Sequence, residues 1–238
     1  MAPSARSLRN RLAELPQPSG RLTAVLARVD LHVHSSASFD CKVPPHLVAE
    51  RLRSYGISPV LLTDHDTMEG VEELRRSGET ETIGGEEILT QEGELIGLFL
   101  EHPVAQGLTP EETVERIKSQ GGLVYLQHPL EGRRRSLRLA AIERLRDQID
   151  IVEIFNGRSD EEANRGAEDL CDALGAIPGA GSDAHTLEEI GKVYVELEDF
   201  SGAVDFLEKL EKARIVLSPH KWRMRLVQRA GGILARIR

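Results

Sequence analysis

The 238-residue chain is 40% hydrophobic, 29% charged and 4% aromatic, enough apolar material for one large domain of the size at which α/β barrels form a single unit. Its longest apolar run, Leu95 to Leu100, contains Gly97 and is far too short to span a bilayer. The N-terminus has no signal-peptide-like apolar segment, and two cysteines, Cys41 and Cys171, make no disulfide framework, so a cytoplasmic protein with no membrane partner is expected.

Net charge is −9, unevenly spread. Residues 1–28 hold five Arg against one Glu and residues 212–238 eight Lys and Arg against no acid, so the ends total +12 and the body between them −21. A body that acidic repels phosphate esters unless bound divalent metals offset its field.

Leu8, Leu12 and Leu15 are spaced for a short amphipathic helix, which Pro16, Pro18 and Gly20 break; residues 1–28 read as a basic N-terminal appendage. Val29-Asp30-Leu31-His32-Val33-His34 reads as a first strand with Asp30, His32 and His34 on one face, because side chains alternate along a strand. Two imidazoles so placed can grip one metal ion. A loop of small residues, Ser35 to Asp40, leads to a helix opened by Pro45 and stopped by Gly56.

Ile57 to Leu62 is a second strand ending in Thr63-Asp64-His65-Asp66, with a short helix over residues 69–76 behind it. A third strand ends near Gly85-Glu86-Glu87-Ile88. A fourth, Glu94 to Leu100, follows a tight Glu92-Gly93 turn. Thr109-Pro110-Glu111-Glu112 starts a helix, with Thr109 as cap, that stops at Gly121-Gly122. Leu123 to Leu126 is a fifth strand closed by Gln127-His128-Pro129. Arg133-Arg134-Arg135 and a helix lead to a sixth strand, Ile149 to Phe155, closed by Asn156-Gly157-Arg158.

The helix from Asp160 to Leu174 precedes a seventh strand, about residues 176–180, closed by Gly181-Ser182-Asp183-Ala184-His185. Short strands at 193–197 and 215–217 flank a helix at 201–212. Residues 29–217 form the expected barrel domain, and 218–238 a basic C-terminal tail read as a helix packed on it. Strands alternating with helices argue for a parallel sheet, and the lack of a glycine-rich phosphate fingerprint favours a closed barrel. In such barrels chemistry collects at the C-terminal strand ends. His32, His34, Asp64, His65, Glu87, His128, Asn156, Asp183 and His185 all fall there. Imidazole and carboxylate donors suit Zn, Mn or Fe, and the supply fills two or three sites able to activate water and clamp a phosphoryl group. Asp30 and Asp64 are placed to orient neighbouring histidines.

Leu31-His32-Val33-His34-Ser35, Thr63-Asp64-His65-Asp66, Gly85-Glu86-Glu87-Ile88, Gln127-His128-Pro129 and Gly181-Ser182-Asp183-Ala184-His185 together resemble the motif series of the PHP (polymerase and histidinol phosphatase) family, in the family's order over roughly residues 29–200. The resemblance implies a distorted seven-stranded (βα) TIM-like barrel, a trinuclear metal centre and hydrolysis of phosphate esters. Carried over by position, His32, His34, Glu87 and Asp183 would hold a first metal. Glu87 would bridge to a second held by His128, and Asp40, His65 and His185 would hold a third. Glu94 stands where many members place a histidine; it is harder and more negative, which favours Mn or Fe over Zn and leaves open a binuclear centre.

On the substrate side, Arg158 can fork onto phosphate oxygens, Arg134 lies on the same rim and Asn156 can orient substrate or Arg158. Asp66 can protonate a leaving oxygen or support His65. His102 and His220 read as surface residues, and Trp222 with the basic tail as packing. The expected substrate is a small phosphate monoester or nucleotide, cleaved by metal-activated hydroxide. An oligonucleotide-trimming exonuclease is the alternative and would line a groove with the arginine run. An amidohydrolase-like enzyme would want a lysine at a mid-barrel strand end, where this chain has none. A non-enzymatic nucleotide-binding module would be expected to have lost ligands.

Overall fold

The computed structural model describes residues 26–132, 134–217, 227–230 and 233–236. In order the elements are β1 (Leu26–Val29), α1 (Pro45–Ser54), β2 (Val60–Leu62), α2 (Glu69–Ser77), β3 (Thr82–Thr90), β4 (Gly93–Leu98), α3 (Pro110–Ser119), β5 (Leu123–Leu126) and α4 (Leu139–Arg144). There follow β6 (Ile151–Asn156), α5 (Glu161–Leu174), β7 (Ile177–Gly181), β8 (Val193–Glu198), α6 (Gly202–Leu210), β9 (Arg214–Leu217), β10 (Val227–Ala230) and β11 (Ile233–Arg236). Helix starts follow local chemistry. Thr109 Oγ1 accepts from Glu112 N at 3.2 Å while the Glu112 carboxylate accepts from Thr109 N at 3.0 Å, capping α3 from both sides. Asp160 accepts from Glu162 N and Ala163 N at 3.0 and 2.8 Å to start α5.

One curled sheet has the order β2-β3-β4-β5-β6-β7. β2–β3, β5–β6 and β6–β7 are parallel, but β4 is antiparallel to both neighbours. The all-parallel expectation fails here because Gln91 and Glu92 allow only a tight turn between β3 and β4, and parallel strands need a long crossover. Period-two alternation sends Val60, Leu62, Leu95, Val124, Leu126 and Val152 to the helix-covered face. Leu61, Ile96, Leu98, Tyr125 and Ile151 go to the inner face, where they join Val29, Val195, Leu197 and Phe206.

The expected seven-stranded barrel is corrected to six strands plus an irregular stave. β1 ends at Val29 and pairs with β8 in a second, antiparallel sheet ordered β1-β8-β9-β10-β11. Residues 30–34 run between the two edges of the first sheet. Leu31 N donates to Ala180 O at 3.4 Å, Asp183 N to His32 O at 2.7 Å and Thr63 N to Val33 O at 2.9 Å. They form no regular ladder because side chains take its places. Val33 N donates to Thr63 Oγ1 at 3.1 Å and Ser182 N to Asp30 Oδ1 at 2.8 Å.

Two expectations about the ends also change. Leu26–Arg28, read as part of an appendage, lie in β1 and are integral to the second sheet; the Leu8, Leu12 and Leu15 helix lies outside the described residues. Within the tail read as a helix, β10 and β11 pair antiparallel, with Ala230 opposite Ile233. The Gly231-Gly232 pair between them is a two-residue hairpin signal that outweighs the weak helical spacing. His220 and Trp222 lie outside the described residues. No helix among the described residues is long and apolar enough to cross a membrane.

Candidate metal centre

At one end of the curled sheet the fold gathers His, Asp and Glu side chains. His34, Asp40, His65 and His185 present donor atoms within 4.8 Å of one another; so do His32, His34 and Glu87, then His32, His128 and Asp183, and finally His65, Glu87 and Glu94. The eight residues carried over from the family resemblance, with Glu94, therefore come together, although His128 groups with His32 and Asp183; Asp64 and Asn156, also at strand ends, stay outside these donor groups. Glu94 reaches the centre because β4 is antiparallel: its first residues, not its last, lie at this end. His102 is exposed, with its N–H bonded to Gln120.

Glu87 is the hub. Its Oε2 lies 3.1 Å from His32 Nε2 and 3.2 Å from His34 Nε2, and its Oε1 lies 3.3 Å from His128 Nε2. Glu86, its neighbour, points to the other face, and its carboxylate accepts from Val104 N at 2.7 Å.

The far side of each ring explains the arrangement. His32 Nδ1 faces Glu153 Oε1 at 3.1 Å. Ser38 Oγ donates to Asp64 at 2.8 Å, so it accepts from His34 Nδ1 at 3.1 Å. Ser136 Oγ donates to the His128 carbonyl at 2.6 Å, so it accepts from His128 Nδ1 at 3.3 Å. With Nδ1 of each ring facing outward, the Nε2 atoms of His32, His34 and His128 all converge on the buried Glu87 carboxylate. Without a cation, protons shared between these groups hold them at hydrogen-bond distance, and metal binding displaces such protons. The donor set is nitrogen and oxygen without thiolate, which fits Zn, Mn or Fe.

In the metal-free site the charges are balanced by protons. Burial lowers the His32 pKa, but the carboxylates of Glu153 and Glu87 outweigh it and push the imidazole up to about 10. Burial works against the Glu87 carboxylate, yet His32 and bonds from the surrounding histidines hold it well below the usual range. Burial and the Glu87 charge push Glu94 up to about 8. His185 goes down to about 4 through burial and the neighbouring His34.

Glu153 was invisible to motif reading. It is fully buried in β6 and accepts from Tyr125 Oη at 3.0 Å, His128 N at 2.8 Å and Asn156 Nδ2 at 3.0 Å, besides facing His32. Its signal was a lone acid inside the apolar run Ile151-Val152-Glu153-Ile154-Phe155. Ser38 and Ser136 were equally silent. Asp64 acts on His34 through Ser38 rather than on adjacent His65 alone, and Asp30 holds backbone, accepting from Ser182 N and His32 N.

Backbone strain clusters here. His128 and Asp183 adopt φ of 26° and 54°, and Asp66 53°, sparsely populated values that recur at functional sites. Gly181 leaves room for His32: a Cβ there would lie 2.3 Å from His32 Cβ.

On the rim, Arg134 pairs with Asp183. Arg158 Nη1 lies 2.7 Å from His185 Nδ1 and 3.9 Å from Asp183. Asn156 Nδ2 donates to Asp183 at 3.1 Å, and its Oδ1 accepts from Arg158 N at 2.8 Å. Arg135 comes within 3.9 Å of Glu94; Arg133 lies outside the described residues. Asp66 stays outside the donor groups and accepts from Leu89 N at 2.7 Å. Cys41, without a base, donates to the His185 and His34 carbonyls.

A family model described as PHP-associated matches residues 161–215. Two uncharacterised proteins of Methanocaldococcus jannaschii are 37% and 33% identical, over 54% and 73% of this chain and 81% and 72% of their own lengths. Among solved structures, a provisionally assigned metal-dependent phosphoesterase of Bifidobacterium adolescentis superposes with TM-score 0.56 at 15% identity, over 66% of this chain and 87% of its own. An amidohydrolase from Chromobacterium violaceum gives TM-score 0.54 at 18% identity, over 68% and 89%. Endonuclease Q bound to a 27-mer duplex with an abasic lesion gives 0.59 at 15% identity, over 79% and 57%. At these identities the likeness is one of fold.

Proposed function

We propose that this chain, a member of the PHP family, is a metal-dependent phosphoesterase acting on a small phosphate monoester or nucleotide. The observation that carries the reading is the convergence of three histidine Nε2 atoms on the buried Glu87 carboxylate. His32, His34, Glu87 and Asp183 would hold one ion, Glu87 and His128 a second, and Asp40, His65 and His185 a third, with Glu94 at the edge of the set. Two or three divalent ions there would supply an activated water and neutralise phosphate charge.

The remaining residues bind and orient. Arg134 and Arg158 present guanidinium groups at the rim beside Asp183 and would grip phosphate oxygens bidentately. Asn156 fixes the Arg158 backbone and keeps Asp183 aimed. Asp66 would hold the turn carrying His65 through its bond to Leu89 N, a role that competes with proton donation to the leaving oxygen.

The alternative, phosphodiester cleavage in an oligonucleotide, has one structural relative that binds duplex DNA. It is ranked second because Arg134 turns inward onto Asp183, leaving Arg135 as the exposed member of the described arginine run.

The test is elemental analysis of chelator-free protein, with Mn-supported hydrolysis of an aryl phosphate and of a phosphodiester. We expect two or three metals per chain and monoester hydrolysis. His34→Ala should lower it by more than the roughly 10–100-fold typical of losing a residue that merely orients a ligand. Hydrolysis of the diester alone would move the assignment to a nuclease. A chain that binds no metal and stays inert with Mn would overturn the reading.

A further inference from the structure

Phe39 is 74% exposed, the only phenylalanine among the large exposed apolar side chains of the described residues. Its neighbours in sequence are fixed to the centre. Ser38 bonds Asp64, His34 and the His65 backbone, and Asp40 lies 3.0 Å from His185 and 3.5 Å from His65. The loop is tied down by Ser36 N to Val43 O at 2.7 Å and Ser38 N to Ser35 O at 3.0 Å. The ring therefore has little freedom to fold away. Its centroid sits 5.0 Å from the His65 ring at 33°, and His65 in turn stacks on His34 at 4.7 Å. One side of Phe39 faces a proposed metal-binding imidazole, and the rest of the ring meets solvent beside the centre. An exposed aromatic ring on a pinned loop is a stacking platform for a planar group.

We propose that Phe39 stacks the base of a nucleotide substrate whose phosphate enters the metal centre, so that the substrate class is nucleotides rather than simple sugar phosphates. This rests on the phosphoesterase reading above. Phosphate oxygens would be drawn to the cationic side, near Arg158 and Arg134, while a base lying on Phe39 fixes which end of the molecule is presented. Stacking tolerates any base, because every base offers a π face, so the platform selects for a base without selecting its identity.

The experiment uses full-length, metal-loaded protein and two probes, adenosine 5′-monophosphate and ribose 5-phosphate, with affinities measured by calorimetry. A third probe, 2-aminopurine riboside 5′-monophosphate, reports stacking directly through fluorescence quenching. Wild type should bind the nucleotide roughly tenfold more tightly than the sugar phosphate, with strong quenching. Phe39→Leu keeps apolar bulk without the π face and should bring that ratio close to one with quenching lost; Phe39→Trp should preserve both. Metal content, read in parallel, identifies any variant that has disturbed Asp40. Equal affinities in wild type, or quenching that survives in Phe39→Leu, would overturn the platform. If the nucleotide binds with quenching but neither it nor the aryl phosphate is hydrolysed, the phosphoesterase reading falls and the base site stands. If the aryl phosphate is hydrolysed while nucleotide and sugar phosphate bind alike, the reverse holds.

Discussion

The interior of the curled sheet has two ends built from the same strands with opposite chemistry. At one end Leu31, Leu61, Ile96, Tyr125 and Ile151 pack against Val195, Leu197 and Phe206, brought in by the second sheet and α6. At the other, His32, Glu87, His128, Glu153 and Asp183 are as deeply buried as the leucines. Burial of apolar surface stabilises the first end with no geometric demand. The second end buries ionisable groups, which is tolerable only where each has a partner, and so it demands placement to within a hydrogen bond. The difference teaches that the apolar end carries the fold, while the polar end depends on that support and on cations.

The largest test breaks the apolar end. Phe206 is fully buried and packs edge-on against Phe200 at 4.9 Å and beside Phe99 at 5.1 Å. Phe206→Ala should remove about 3–5 kcal/mol and lower Tm by roughly 10 °C in thermal melts. Metals bound per folded chain should not change, since the cavity opens away from the centre; loss of metal in protein that is still folded would contradict the separation of the two ends.

A smaller effect is expected from the polar end's support. Glu153→Gln keeps the shape but removes the carboxylate facing His32 Nδ1. Metal affinity should fall by roughly 10–100-fold, measured by competition with a chelating dye. An unchanged affinity would mean that Glu153 merely fills β6.

The mildest test uses pH on chelator-treated protein. His32 is raised to about 10 from 6.5, Glu94 to about 8 from 4.5, and Asp30 and Glu86 to about 7. Groups whose folded pKa is raised bind protons more tightly in the folded state, so stability is lost as pH climbs through these values. Tm should drop by a few degrees between pH 7 and 9, and added divalent metal, replacing the protons at His32 and Glu94, should flatten the slope. A Tm that rises over this interval without metal would refute the charge balance described for the centre.

Much of this was legible in the chain. Ligand types cluster in short runs after strands, as in Thr63-Asp64-His65 and Gly181-Ser182-Asp183-Ala184-His185, because a strand end exposes several consecutive residues to one rim. Helix starts at Thr109 and Asp160 were readable from their own side chains. Glu153 was not, since one acid inside an apolar strand carries no local mark of the ring it faces 121 residues earlier. Ser38 and Ser136 are common loop residues whose roles exist only once His34 and His128 lie beside them.

By itself the sequence determined the alternation of elements, the two-faced strands and the supply of nitrogen and oxygen donors, because these follow from local propensity and period. Tertiary structure alone decided that residues 30–34 close the sheet as an irregular stave and that three histidines aim Nε2 at one carboxylate. The first depends on the bonds of Val33 N to Thr63 and of Ser182 N to Asp30, the second on Glu153 facing His32, and no local pattern encodes partners 30 to 152 residues away.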